Sequence, residues 1–254
     1  SKALEVIDSI VDYGIEQRAY PGCQVLVAKD GYVVYNKAFG NFTYDTASAP
    51  VTQATMYDIA SVTKIAATTL AVMKLVDAGK VSLDDCLSTY LPYLKHTNKK
   101  KITIREALSH YAQLQAFVPF WKDAVEDEVV DKGLGVCSPE DSLSYMMIAD
   151  GLYVHKNYRQ EIIDKRYIIY KITDTKLLKE KKYVYSDFGF IFLGDLVQTV
   201  SGVPLDIFMQ KHFYKPMALN STTFNPLEHG YSKMAIAPTE NDRHFRFQQL
   251  QGTV

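Results

Sequence analysis

The sequence predicts an α/β fold of the α+β type, and three observations carry that prediction. Apolar residues recur at helical spacing near the N-terminus, and two β-rich runs joined by Asp30-Gly31 follow at once. The middle of the chain then reads as one helix after another, with strand character returning only weakly after about Ser221. Strands and helices that are segregated along a chain, rather than regularly alternating, mark an α+β architecture.

Leu4, Ile7 and Val11 share one helical face, so an amphipathic helix is expected over residues from about 3 to 18. Gln24 to Tyr35 contains the two β-rich runs, and Asp-Gly between them is a hairpin signal because both residues tolerate the positive φ angles of a tight turn. From Ile65 to Val76 the chain is apolar or small on nearly every face, which predicts a helix buried on most sides and stopped at Gly79. Ser82 to Asp85 and Tyr90-Leu91-Pro92 read as a turn-rich connection. Thr103-Ile104-Arg105-Glu106 is a capping box that starts a short helix toward His110. Ser138-Pro139-Glu140-Asp141 is a further helix start, with proline at the first helical position. Helices are expected from Phe188 to Val200, closed by Gly202, and from Leu205 to Tyr214, ending before Pro216. Lys176 to Lys182 is a basic, solvated surface segment.

The chain has 254 residues, enough to bury a full core, as one large domain or as two interleaved lobes. Lys plus Arg number 28 against 29 Asp plus Glu, which gives no electrostatic case for nucleic acid or a membrane surface as partner. No transmembrane segment is expected, because no apolar run is long and polar-free enough to span a bilayer. Ser1-Lys2-Ala3 starts directly in helix-like sequence without a signal peptide, which fits a cytosolic protein or one already processed. Cys23, Cys86 and Cys137 are widely spaced and have no clustered histidines near them, so buried free thiols are expected and neither a metal site nor a disulfide framework is.

Ser61 and Lys64 open the central apolar helix. A spacing of three puts hydroxyl and ammonium on one face, one turn apart, at the end of a helix where unpaired N–H groups welcome an oxyanion. A serine hydroxyl needs an adjacent base, and a lysine serves only if desolvation or a cationic neighbour lowers its pKa; the apolar helix is expected to supply that desolvation. By itself such a tetrapeptide arises about once by chance in a chain of this composition. The second candidate is Tyr183-Val184-Tyr185-Ser186-Asp187, immediately before a helix. One reading makes Asp187 an N-cap and the tyrosines core or rim residues. The other holds the Tyr185 phenol beside Lys64, where an ammonium about 4 Å away, at an effective dielectric near 20, lowers its pKa enough for it to act as general base.

These residues resemble the penicillin-recognising serine hydrolases, in the branch that holds class C β-lactamases, serine D-alanyl-D-alanine carboxypeptidases and related esterases. The resemblance runs in order through Pro21-Gly22, Phe39-Gly40, Ser61-Val62-Thr63-Lys64, Gly79 to Asp85, Tyr90-Leu91-Pro92, Thr103-Ile104-Arg105 with Leu108-Ser109-His110, Tyr185-Ser186-Asp187, and Val200-Ser201-Gly202 through Pro216-Met217. It implies a β-lactamase/transpeptidase-like fold: an antiparallel sheet with flanking helices, built from residues 1–75 and again from 216–254, with a mostly helical lobe at 76–215 between them. It also implies an acyl-enzyme on Ser61, the nucleophile at the lobe junction. Lys64 would activate it, Tyr185 would shuttle the proton and Asp187 would support the substrate. The substrate would be a small molecule or peptide, an ester, a β-lactam or a D-alanyl peptide, and no cofactor or metal would be needed. An extracytoplasmic location in the periplasm or cell envelope goes with it. The alternative is a catalytically impaired β-lactam- or peptide-binding module of the same fold.

Three departures from the family pattern are visible. Asp187 stands where many relatives carry asparagine, which replaces an amide donor by a carboxylate beside Lys64. His110 is followed by Tyr111-Ala112-Gln113 where relatives often have a small polar residue and glycine. The third family motif, Lys or His, a small residue and glycine on a C-terminal strand, is not reached before Val254. That strand would supply the second oxyanion donor and cover the hairpin. The expectation is therefore either a longer natural protein or self-association through an uncovered sheet edge.

Overall fold

The computed structural model describes residues 4–45, 47–119, 145–149, 152–155, 165–242 and 248–252. The expected helix start at Ser138-Pro139-Glu140-Asp141 and the thiol of Cys137 lie outside the described residues. The chain divides into two compact units, one of residues 1–58, 136–154 and 225–254, the other of residues 59–135 and 155–224.

In the first unit α1 (Val6–Glu16) precedes an antiparallel hairpin of β1 (Gly22–Lys29) and β2 (Tyr32–Gly40). Asp30 and Gly31 have φ of 53° and 81°, the left-handed pair that a two-residue hairpin turn demands. Val27 pairs with Tyr35 but Ala28 with Val33, so Val34 is the extra residue of a bulge that bends β2. At the open end Gly22 pairs with Gly40, and a Cβ on Gly22 would stand 2.6 Å from the carbonyl oxygens of Phe39 and Asn41. Only glycine permits that approach. Asp8 of α1 accepts from the Tyr35 phenol and pairs with Lys37, which fastens the helix to β2. A short ladder follows, with Met56 donating to Ala235 O and accepting from Ala237 N, each at 2.8 Å. Among the described residues of this unit, Val11, Tyr35, Val51, Ile236, Ala237 and Leu250 are the buried apolar ones.

Among the described residues strands occur in three two-stranded sheets rather than one larger sheet. Besides the hairpin these are β3 (Tyr145–Ala149) with β4 (Leu152–His155), and β5 (Glu240–Asp242) with β6 (Gln248–Leu250). Weak strand character after Ser221 is thus realised in three-residue segments.

The described elements of the second unit are mainly helices. Its centre is α6 (Asp187–Ser201), preceded in the chain by α2 (Leu70–Asp77), α3 (Leu87–Tyr90), α4 (Ile104–Leu108) and α5 (Lys165–Asp174), and followed by α7 (Leu205–Met209). Phe188, Phe192, Leu193, Leu196 and Val197 recur at helical spacing along α6 and are buried against α2, α3, α4 and α7. Gly202 at φ 78° ends the helix in the left-handed conformation expected of a C-terminal glycine. The capping box is present: the Thr103 hydroxyl accepts from Glu106 N, and the Glu106 carboxylate accepts from Thr103 N. Gly79, at φ 66°, terminates α2 as its position predicts.

Two expectations about the central apolar segment are corrected. Lys64 to Thr69 forms a π-helical turn before α2 begins, with the Thr69 hydroxyl donating to Lys64 O at 2.8 Å. The segment is also buried on one side only. Ala67, Ala71, Val72 and Leu75 face the core, whereas Ile65 is 65% and Met73 59% exposed. Apolar composition predicts burial on most sides, but a helix at the edge of a core needs only one stripe. The last expected helix, likewise, is α7 followed by a π-helical turn over Gln210–Tyr214.

Candidate active site

Ser61 lies in a single 3-10 turn, Ala60–Val62, that enters the π turn of Lys64. Ala60 has φ of 42°, a left-handed conformation uncommon for a residue with a Cβ. This entry leaves the Ser61 hydroxyl exposed and brings Lys64 Nζ to 2.9 Å from Ser61 Oγ, with the ammonium donating. Tyr185 arrives from the segment before α6. Lys64 Nζ sits 5.0 Å from the centre of its ring and 5.9 Å from that of Phe190. Asp187, the first residue of α6, holds Lys64 Nζ at 2.7 Å through Oδ1. All four residues singled out in the sequence, Ser61, Lys64, Tyr185 and Asp187, therefore meet around one ammonium.

The electrostatics differ from the expectation in one respect. Burial pushes the Lys64 ammonium down, but hydrogen bonds to Asp187 and Tyr185 and the charge of Asp187 outweigh it, so the group lies above the ordinary lysine range. Desolvation by the apolar helix does not make a neutral lysine. The Tyr185 phenol moves the other way: hydrogen bonds to Lys64 and then to Ser61 lower it, against burial and Asp187. With an ammonium donating to its oxygen, Ser61 retains its own proton to give to the phenol oxygen.

A family model described as Beta-lactamase matches residues 7–253. The chain belongs to the beta-lactamase family. A relative of this family member from Salmonella heidelberg (strain SL476), named as a D-alanyl-D-alanine carboxypeptidase, is 30% identical over 260 residues, covering 94% of this chain and 51% of the relative. The chain thus spans about half the length of the curated relatives it matches. Among solved structures, the octameric penicillin-binding protein homologue from Pyrococcus abyssi superposes with a TM-score of 0.68 at 22% identity, over 98% of this chain and 50% of that one. EstCE1, described as a hydrolase with promiscuous acyltransferase activity, gives 0.65 at 21% identity over 96% and 57% of the two chains. These likenesses establish the β-lactamase/transpeptidase-like fold that the ordered motifs led us to expect.

Two further residues shape the site in this beta-lactamase family chain. The buried Ser186, not Asp187, caps α6: its hydroxyl accepts from Phe188 N at 3.2 Å and donates to Gln115 O at 2.6 Å. The carboxylate of Asp187 is thereby left to reach Lys64. His110, at φ 60°, accepts the Ser186 N–H at Nδ1 over 3.1 Å, and its ring lies 4.5 Å from that of Tyr185. Accepting at Nδ1 requires a lone pair there, so His110 is neutral with its proton on Nε2. Burial, then Lys64, lowers its pKa and keeps it so. The sequence placed His110 at a helix end without a role; its signal was only the Leu108-Ser109-His110 block of the family pattern. Cys23 and Cys86 are free and half-buried, and no group of three or more His, Cys, Asp or Glu is placed to hold a metal among the described residues. No single described helix is long and apolar enough to cross a membrane.

Proposed function

We propose that the chain carries an acyl-transfer centre in which Ser61 is the nucleophile, Tyr185 its base and Lys64 the positive charge that orients both. The observation that carries this reading is the 2.9 Å contact of Lys64 Nζ with Ser61 Oγ, combined with a phenol whose acidity is raised by hydrogen bonds to the same two groups. Ser61 Oγ attacks the carbonyl of an ester, a β-lactam or a D-alanyl peptide, its proton passes to the Tyr185 oxygen, and the leaving group departs with a proton returned from Tyr185. Water then releases the acyl group by the same transfers in reverse order. The Ser61 N–H, at the start of the helical segment, is one donor for the developing oxyanion.

The experiment is intact-mass measurement after exposure to an alkyl fluorophosphonate and, separately, to a penicillin. With the first, a Ser61 Oγ–phosphorus bond forms, the P–F bond breaks and fluoride leaves. An adduct on Ser61 is expected, absent from Ser61→Ala. Binding with no adduct would favour a second reading, a binding module of the same fold. The 2.7 Å Lys64–Asp187 pair supports that reading, because it removes any neutral-lysine route to activation.

A further inference from the structure

Lys64, in contact with Ser61, and its ion-pair partner Asp187 are unequally presented to solvent. The Lys64 side chain is 14% exposed and lies under its partners, whereas the Asp187 side chain is 50% exposed. A molecule approaching Ser61 therefore meets a carboxylate before it meets the ammonium, and that ammonium is already neutralised by ion pairing. The cations just before Tyr183 are committed too, Lys181 to Glu106 and Lys182 to Glu180 at 2.8 Å. His110 adds no charge, and Tyr185, when it acts as base, adds a negative one. The exposed rings of Tyr183 and Tyr185 present π faces, which attract cations rather than anions.

We infer that Asp187 sets the charge class of the substrate: acyl donors that are neutral or cationic near the scissile bond are accepted, and those bearing a carboxylate there are disfavoured. An asparagine at this position would leave the Lys64 charge balanced by the ionised Tyr185, with nothing to repel a substrate carboxylate; aspartate adds the negative charge that does. A peptide with a free C-terminal carboxylate next to the scissile bond belongs to the disfavoured class, whereas an ester or an amide-capped peptide does not. The inference rests on Ser61 acyl transfer as proposed above, and narrows its substrates by charge.

The test uses three fluorophosphonates with the same linker, ending in a methyl, a carboxylate or a trimethylammonium group. Rates of Ser61 labelling are compared for the parent protein and Asp187→Asn. With Tyr185 ionised as the base, Lys64, Asp187 and Tyr185 sum to one negative charge, which is expected to slow the carboxylate probe about tenfold relative to the methyl one at low ionic strength. The gap should shrink in about 1 M salt, where the screening length falls to about 3 Å. Asp187→Asn should close it at low salt. Ratios that are equal for the three probes, or unchanged by Asp187→Asn, would overturn the inference while leaving acyl transfer standing. If no probe labels Ser61, it is the acyl-transfer reading that falls. Charge selection is then read by calorimetry on Ser61→Ala with unreactive amides carrying the same three ends, where equal affinities overturn it and a weaker carboxylate ligand upholds it.

Discussion

Lys64 Nζ lies 2.7 Å from Asp187 Oδ1, so the ammonium beside Ser61 is stabilised as a cation rather than released as a base. The pH dependence of acylation follows from this pairing. On the proposed mechanism Tyr185 acts unprotonated and Lys64 protonated, so the rate should rise through the depressed pKa of the phenol and fall through the raised pKa of the ammonium. Because the groups interact, the two limbs belong to the pair.

Asp187→Asn should move both limbs to lower pH. The carboxylate charge raises the pKa of Tyr185 and that of Lys64, and removing it lowers each. Labelling rates by a neutral fluorophosphonate between about pH 5 and 11 give the measurement. A profile that does not move would show that the carboxylate is uncoupled from both groups.

Ser61→Ala should abolish labelling with the fold retained, since only an exposed hydroxyl is lost. Lys64→Ala should suppress labelling, and Tyr185→Phe should slow it by roughly 10² or more if the phenol carries the proton. Unaltered acylation by the Tyr185→Phe protein at every pH would remove Tyr185 from the proton path.

His110→Phe keeps a ring against Tyr185 but deletes the acceptor for the Ser186 N–H. A buried amide left without a partner costs about 1–3 kcal/mol, which chemical denaturation can resolve. Labelling should slow as well, because the turn that delivers Tyr185 and Asp187 loses its anchor. Stability and labelling both at parental values would show that the Ser186 amide finds another acceptor.

Lys99 is fully buried, and its ammonium donates to Asn98 Oδ1 at 2.8 Å and to the carbonyls of Thr173 and Thr175 at the end of α5. Burial pushes its pKa down from 10.5 to about 8. Between these values the unfolded chain binds more protons than the folded one, so this group makes stability rise as pH increases from about 8 to about 10.5. Lys99→Met should lose that rise. Parallel stability curves against pH for the two proteins would place the Lys99 titration elsewhere.

Much of the local structure was legible because its causes are local. Asp30-Gly31 specifies its own turn, Thr103 and Glu106 satisfy each other's backbone groups, and Gly79 and Gly202 end helices through a conformation that other residues adopt at a cost. The Ser61–Lys64 spacing was equally readable, since three residues of any helical segment return the chain to the same face. Whether Asp187 caps α6 or reaches Lys64 stays open in the sequence because serine and aspartate in adjacent positions satisfy the same capping rule, and the choice between them depends on a partner far away in the chain.

The sequence was enough for the hairpin turn, the capping box, the helix-ending glycines and the order of the family blocks, and it named the groups proposed to react. Tertiary structure alone decided the charge state of Lys64, the burial of Lys99 and the position of His110 under Tyr185. The reason is physical: a backbone turn is set by torsions and hydrogen bonds within a few residues, whereas a pKa is set by whatever charge and solvent lie within several ångströms. For Lys64 that neighbour is Asp187, which reaches it only after α6 has packed against the π turn.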